Sequence, residues 1–334
     1  MTRPQVSILM PVRNEGLFLP AALASLRRQS LDDWELVAVD DGSDDATPAI
    51  LAAAAADPRV RPLRSPGRGI VAALNAGLAQ CRAPLVARMD GDDICHPRRL
   101  ELQRDFLRST PEVGLVACTA RLFPRQLVQG GMRAYETWQN GLASHEQIVR
   151  DLYVESPFVH PSVMFRREEV RAAGGYRDMG WAEDYDLWLR LAAAGTRFAR
   201  LPHNLFFWRE HPRRATRTIG HYTLAAFRAC KVHHLRQGFL RGVNAVALAG
   251  AGVEGRAWRR ALEEAGIAVS LWVDIDPRKI GRTLHGARIV APEPFPRLPG
   301  KMLITVGVRG AREELRHWAE QGGLTEGVDF LCVT

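Results

Sequence analysis

The chain has no apolar run approaching the ~18 residues a membrane-spanning helix requires, so no transmembrane segment is expected. Its opening stretch, MTRPQVSILMPVRNE, holds too short an apolar core before Arg13 for a secretory signal, and VSILMPV reads better as a first strand. Residence in the cytoplasm is the resulting expectation. Cysteine is sparse: Cys81, Cys95, Cys118, Cys230 and Cys332 are odd in number, far apart and without a CxxC pair. That pattern argues against a zinc site and a disulfide framework and for free thiols in a reducing compartment. Acid is nearly missing from one stretch. Arg209, Arg213, Arg214, Arg217, Arg228, Lys231, Arg236 and Arg241 face a single acid, Glu210, so +7 of the chain's net +8 lies between residues 209 and 241. Such a stretch attracts phosphates, of a nucleotide or of an anionic lipid. Beyond Arg217 a solvated helix face explains it equally well.

A length of 334 residues favours two domains, and 46% hydrophobic with 25% charged residues is ordinary for a globular protein. The first half alternates. VSILMPV (6–12) and WELVAVD (34–40) read as strands, as does PLVARMDGDD (84–93) up to its acidic end. Helical patterns lie between and after them: LFLPAALASLRRQS with Leu19, Leu23 and Leu26 on one face, ATPAILAAAAAD stopped before Pro58, IVAALNAGLAQC, and PRRLELQRDFLRS with Pro97 near its start. Strands alternating with helices imply an α/β fold with a mixed, mostly parallel sheet covered on both faces. In such sheets ligands bind outside the carboxyl ends of the strands. The polar clusters PVRNE, DDGSDD and DGDD each fall at such an end.

In the last of these, Asp90, Asp92 and Asp93 crowd around Gly91. Neighbouring carboxylates repel unless a cation lies between them. A strand-end Asp-x-Asp suits Mg²⁺ or Mn²⁺, which are commonly shared between carboxylates and substrate phosphates. Gly91 allows a tight turn and close approach of a ligand. An acidic turn capping the next helix is the plainer alternative.

The segments VSILMPVRNE, ELVAVDDGSDD, VARMDGDD, HPSVMFRRE, GGYRD, AEDYDLWLRL and WREHPRRATR occur in the order and spacing of family 2 glycosyltransferases. Residues 4–236 resemble that family and its A-type nucleotide-sugar fold. The resemblance implies transfer of a sugar, usually with inversion, from a nucleoside-diphosphate sugar with help from Mn²⁺ or Mg²⁺. A UDP-linked donor and a glycan or lipid-linked acceptor in bacterial surface-polysaccharide synthesis are expected, and no nucleic acid. The resemblance also implies residue roles. Pro11, Arg13 and Glu15 match the first-strand loop that holds the nucleotide. Asp41, with Asp40 beside it, matches the acid that contacts base or ribose. Asp90 and Asp92 match the metal-binding pair, which Asp93 extends, and Asp184 matches the general base, with Glu183 next to it. Arg209 and His211 match a late loop that closes on the diphosphate, His211 as a metal ligand. Many relatives carry serines after that histidine where this chain reads PRRATR, which keeps the loop cationic but leaves its contacts open.

Asp184 falls at the start of a helical pattern, with Leu187, Leu191 and Ala194 on one face. A helix start lowers an Asp pKa, so Asp184 is expected ionised. The alternative is a helix cap, with Asp186 and Arg190 an exposed i,i+4 pair. His145 and His160 read as structural histidines. The continuation HYTLAAFRACKVHHLRQGFLRG sets Tyr222, Leu224, Phe227, Val232 and Leu235 among Arg228, Lys231 and Arg236. One reading holds these cations against an anionic membrane that displays the acceptor; an interdomain contact or a phosphate role explains the same charges.

The expected division is a catalytic domain at 1–218, a basic helical linker at 219–241 and a small Rossmann-like α/β domain at 242–334. In the last, Gly250, Gly252 and Gly255 form G-x-G-x-x-G directly after an apolar strand, and Asp274 ends the next strand, where a ribose-binding acid belongs. A nucleotide site and mere packing of helix on strand both stay open. An NAD-dependent sugar-nucleotide oxidoreductase is the competing enzyme, but no Tyr-x-x-x-Lys relay follows Gly250. A non-catalytic nucleotide-sugar binder would have no need of the base and metal positions, and both are intact.

Overall fold

The computed structural model describes residues 3–214, 220–293, 298, 300–308 and 310–334; Arg217 of the basic stretch lies outside them. The chain divides into two compact units. The first comprises Met1–Ile148, Pro157–Met179 and Glu183–Ile219, the second Val149–Ser156, Gly180–Ala182 and Gly220–Thr334.

The first unit opens with β1 (Val6–Val12), α1 (Leu19–Arg27), β2 (Trp34–Asp40), α2 (Thr47–Ala54), β3 (Val60–Arg64), α3 (Ile70–Gln80) and β4 (Leu85–Arg88). It continues through β5 (Ile94–Cys95), α4 (Arg99–Ser109), β6 (Val113–Phe123), α5 (Gly130–Gly141), α6 (His145–Arg150), β7 (Val163–Arg166), α7 (Arg167–Ala172), α8 (Glu183–Ala193) and β8 (Arg197–Arg209). The sheet order is β3-β2-β1-β4-β7-β6-β8-β5. β1 pairs in parallel with β2 and β4, whereas β7 runs antiparallel to β4 and β6. Every residue of β1 is buried, as expected of a strand covered on both faces. In α1, Leu19, Leu23 and Leu26 turn inward as their spacing requires. The run 84–93 is strand only to Arg88; its acidic end is a turn. Chain order reverses between β1 and β4, which opens a crevice at their carboxyl ends.

The second unit holds α9 (Leu224–Gln237), β9 (Ala245–Ala249), α10 (Val253–Glu264), β10 (Ala268–Val273), β11 (Thr283–Leu284), β12 (Ala287–Val290), β13 (Met302–Ile304), α11 (Ala311–Gln321) and β14 (Phe330–Cys332). Its sheet order is β11-β12-β10-β9-β13-β14, parallel except for the β11–β12 pair. The segment read as a linker is an integral part of this unit: Val232 and Leu235 of α9 share its core with Val246, Leu248, Trp258 and Trp272.

Candidate active site

The turn after β4 is built around buried cations. Arg88 is 1% exposed, and its Nη2 donates to Asp90 Oδ1 at 2.7 Å. Below it Arg99, also buried, donates from Nη2 to the carbonyls of Arg88 (2.8 Å) and Val163 (3.2 Å), which fixes where the strand ends. Asp90, Asp92 and Asp93 offer oxygens that all lie within 4.8 Å of one another. Burial raises the pKa of Asp90, against the pull of Arg88. Burial and then Asp92 and Asp90 push Asp93 well above the usual carboxylate range. Gly91 does not need a left-handed backbone here. A Cβ on it would stand 2.8 Å from Val12 Cγ1 and 3.2 Å from Glu15 Cγ, so the turn is pressed against the end of β1.

The end of β8 closes over this turn. The Arg209 backbone N–H donates to Asp93 Oδ1 at 2.6 Å, and its Nε donates to the Asp92 carbonyl at 2.5 Å. The Arg209 guanidinium lies 4.7 Å from the Phe18 ring centroid and 4.5 Å from that of Phe123. His211 reaches Asp92 Oδ2 through Nε2 at 2.8 Å and packs on Phe18. Arg214 is buried, stacked on Trp208 and paired with Glu210 at 3.0 Å. Asp93 Oδ2 and His211 Nδ1 are buried with no hydrogen-bond partner among the described residues. Oxygen donors gathered this closely, one of them orphaned, fit a hard divalent cation.

The loops after β1 and β2 are tied together. Asn14 N–H donates to Ser43 Oγ, Asp44 N–H to Asn14 Oδ1, Glu15 N–H to Thr47 Oγ1, and Gly16 N–H to Asp45 Oδ2. Pro11 is buried within β1. Arg13 is exposed, 3.9 Å from Asp41 Oδ2. Both Asp41 oxygens accept the Gly69 N–H, and Asp40 Oδ1 accepts the Ser43 N–H. Glu15 is pushed up to about 8 by burial and then by Asp92 and Asp90.

At α8 one expectation is corrected. Asp184 is not held ionised by the helix start: burial, and then the neighbouring Glu183 charge, push it up to about 8. Loss of water and a like charge outweigh the helix dipole and the Tyr185 N–H, which donates to Asp184 Oδ1 at 2.7 Å. The Asp186–Arg190 pair exists at 2.7 Å, but it is buried rather than exposed. His145 is structural as read: its Nδ1 accepts the Phe198 N–H at 3.1 Å. The Arg88 charge favours the ionised form of Asp184, and Asp90 and Glu183 in turn favour the charged guanidinium. Sequence reading passed over Arg88 and Arg99; the available signal was a cation inside an apolar strand, LVARM, which demands a buried partner.

The second unit places its motif residues differently. A Cβ on Gly255 would stand 1.8 Å from the Gly250 carbonyl oxygen, so this glycine lets α10 pack on β9. Gly252 faces open space. Asp274 Oδ2 accepts from the Ala251 N–H (2.8 Å) and Lys279 Nζ (2.9 Å), and Oδ1 accepts the Asp276 N–H. The cationic face imagined for α9 is broken up. Lys231 is buried, donating to the carbonyls of Val154 and Val333, and Arg228 pairs with Glu254 at 2.8 Å. Arg236 and Arg241 are exposed. No helix among the described residues is long and apolar enough to cross a membrane.

Residues 7–172 match the family model described as glycosyl transferase family 2. The amylovoran biosynthesis glycosyltransferase AmsE of Erwinia amylovora is 35% identical over 188 residues, 55% of this chain and 67% of that protein. The UDP-Gal:alpha-D-GlcNAc-diphosphoundecaprenol beta-1,3-galactosyltransferase of Escherichia coli is 29% identical over 198 residues, 58% of this chain and 69% of that protein. Among solved structures, the mannosyltransferase PcManGT of Pyrobaculum calidifontis, in complex with GDP-Man and Mn²⁺, is similar in fold. Its TM-score is 0.51 at 23% identity, covering 71% of this chain and 63% of that one.

Proposed function

The chain belongs to glycosyltransferase family 2, and from that premise we propose that it transfers a hexosyl group with inversion from a UDP-sugar to a hydroxyl of a glycan or lipid-linked acceptor in surface-polysaccharide synthesis. The observation that carries the reading is the closure of the Arg209–His211 end of β8 over the Asp90–Asp92–Asp93 turn; the Arg88 that pairs with Asp90 also favours the charged form of Asp184. The relatives support it: one is named for a UDP-Gal donor and a diphosphoundecaprenol-linked acceptor, and a neighbour of the same fold holds GDP-Man and Mn²⁺.

The residues divide the work. Pro11, Arg13, Asp40 and Asp41 form the nucleotide end. Asp40 and Asp41 already tie down Ser43 and Gly69, so they shape the pocket as well as line it. Glu15 and Asp93 brace the acidic turn. Asp90, Asp92 and His211 would hold Mn²⁺ or Mg²⁺, which supplies neutralisation of the charge that develops on the leaving diphosphate. Arg209, fixed between Phe18 and Phe123, adds a rigid cation there. Asp184 accepts the acceptor's hydroxyl proton. The acceptor oxygen bonds to the anomeric carbon as the bond to the diphosphate oxygen breaks, and the electron pair leaves on the nucleoside diphosphate. Glu183 sets the charge beside that base.

We read Gly250 and Gly255 as packing glycines and Asp274 as the anchor of its own turn, rather than as a second nucleotide site. The reaction is placed at the cytoplasmic side of the membrane; any attachment to anionic lipid falls to Arg236 and Arg241.

The test is a panel of UDP- and GDP-sugars with Mn²⁺ or Mg²⁺, read as nucleoside-diphosphate release. Asp184→Asn should lose ~10²-fold or more in kcat with donor affinity kept. Release from no donor, or loss of donor affinity in step with rate, overturns the reading.

A further inference from the structure

Three of the motifs quoted above, HPSVMFRRE, GGYRD and AEDYDLWLRL, meet at one buried point, where His160 and Tyr176 have so far been given no role. His160 stands in the short turn His160–Ser162 ahead of β7 and is 8% exposed. Its Nε2 lies 3.0 Å from the Tyr176 hydroxyl, and its Nδ1 lies 3.7 Å from Glu183 Oε1. Glu183 is 2% exposed and directly precedes Asp184. Trp188 meets the imidazole edge-on, with centroids 5.7 Å apart, so the ring has little freedom to turn.

The protons can be placed by elimination. Burial and the nearby Arg88 hold His160 well below its usual range, so the ring is neutral and carries one N–H. Burial raises the Tyr176 phenol, which keeps its proton. That hydroxyl has no other hydrogen-bond partner among the described residues. Were Nε2 protonated, the Nδ1 lone pair would face a carboxylate and the phenol proton would have no acceptor. The consistent arrangement has Tyr176 O–H donating to Nε2 and Nδ1–H facing Glu183. An N–H dipole aimed at a buried carboxylate favours its charged form. The other groups that bear on Asp184 are Glu183 and the Tyr185 N–H on α8, Arg88 on β4, and Tyr176 on the loop before α8. Glu183 opposes the charged form of Asp184, and Arg88 favours it.

We propose that His160 is a positioning residue for the transfer reaction: with Tyr176 it holds Glu183 as an oriented, charged carboxylate, and Glu183 in turn sets how strong a base Asp184 is toward the acceptor hydroxyl. This rests on the reading of Asp184 as the base. When the histidine is lost, the proton shared by the acid pair moves to Glu183, and Asp184 becomes easier to ionise and a weaker base.

The experiment is carbon-13 NMR titration of the Asp and Glu carboxyls in the full chain, with resonances assigned by Glu183→Gln and Asp184→Asn. In the wild type Glu183 should ionise before Asp184, and the opposite order overturns the proposal. His160→Leu should reverse that order and lower the Asp184 midpoint by ~1 pH unit. His160→Asn keeps an N–H near the Nδ1 position and should hold the wild-type order. Tyr176→Phe, which frees the tautomer, should move Asp184 the same way by less. A purely structural histidine would lower the melting temperature and leave the order alone. An unchanged order in folded His160→Leu overturns the proposal. If that variant does not fold, an unmoved Asp184 midpoint in Tyr176→Phe overturns it instead. Failure of the base reading is seen separately, as Asp184→Asn retaining turnover, and it leaves the titrations standing.

Discussion

Replacing Arg88 with Met removes a buried cation while keeping most of its length. The guanidinium is 1% exposed and touches Asp90, whose side chain is 30% exposed, at 2.7 Å. Breaking a buried ion pair by deleting one partner costs about 3–5 kcal/mol. Partial access of water to Asp90 discounts that to roughly 2–3 kcal/mol, or roughly 4–12 °C in melting temperature for a unit of this size. The loss should depend on pH. Asp90 already has a raised pKa with Arg88 in place, and without Arg88 it rises further, so the variant binds protons more tightly when folded. Its deficit relative to wild type is therefore small in mild acid and widens from there into mild alkali. Mn²⁺ should recover part of it, since a divalent cation neutralises the carboxylates that Arg88 neutralised. Urea and thermal unfolding in chelator and in Mn²⁺, across that pH range, measure all three effects. A deficit below about 0.5 kcal/mol in chelator, where surface changes fall, or one that ignores both pH and metal, would refute the electrostatic account.

Three further outcomes follow from the same geometry. Asp92→Ala should abolish metal-dependent turnover while the protein stays folded in chelator, since the one side-chain contact it loses among the described residues is to His211; full activity in chelator is the contrary result. Gly91→Ala should lose ~10²-fold in kcat, since its Cβ would stand 2.8 Å from Val12 and must push the acidic turn away from β1; Gly141→Ala, at a position with open space, is the control. Glu15 and Asp184 are raised from 4.5 and 3.8 to about 8, so the stability they contribute is present below their unfolded values and lost as pH climbs through about 8. In chelator the melting temperature should fall between about pH 4 and about pH 8 and level off above it, and a flat profile would contradict the burial of these carboxyls.

Periodicity carried the frame of the first unit. The run VSILMPV is a strand, Leu19, Leu23 and Leu26 face inward, and the acidic clusters do sit at strand ends. What local pattern could not show was the electrostatic surroundings of each acid. The helix-start rule assigns Asp184 a low pKa from its own turn, whereas the deciding charges come from Glu183 and burial. The same limit applies to α9. Its alternation of apolar and basic residues looked like a membrane-facing stripe, yet Lys231 points to two carbonyls inside the second unit. Charge in a sequence is visible; its partner, often a backbone oxygen far along the chain, is not.

The closure of β8 over the acidic turn also bears on how the protein is made. Arg209 and Asp93 are 116 residues apart in sequence, and His211 and Asp92 are 119 apart. A chain emerging from the ribosome therefore exposes the aspartates long before their covering strand exists. Such long-range pairing slows folding. It also makes the aspartate turn a late-completed unit, so that capacity to bind donor should appear abruptly once β8 is released rather than grow with chain length. A nascent chain stalled short of Arg197 would keep a strand edge at β6 unpaired, the kind of surface that draws chaperones or invites pairing with another chain.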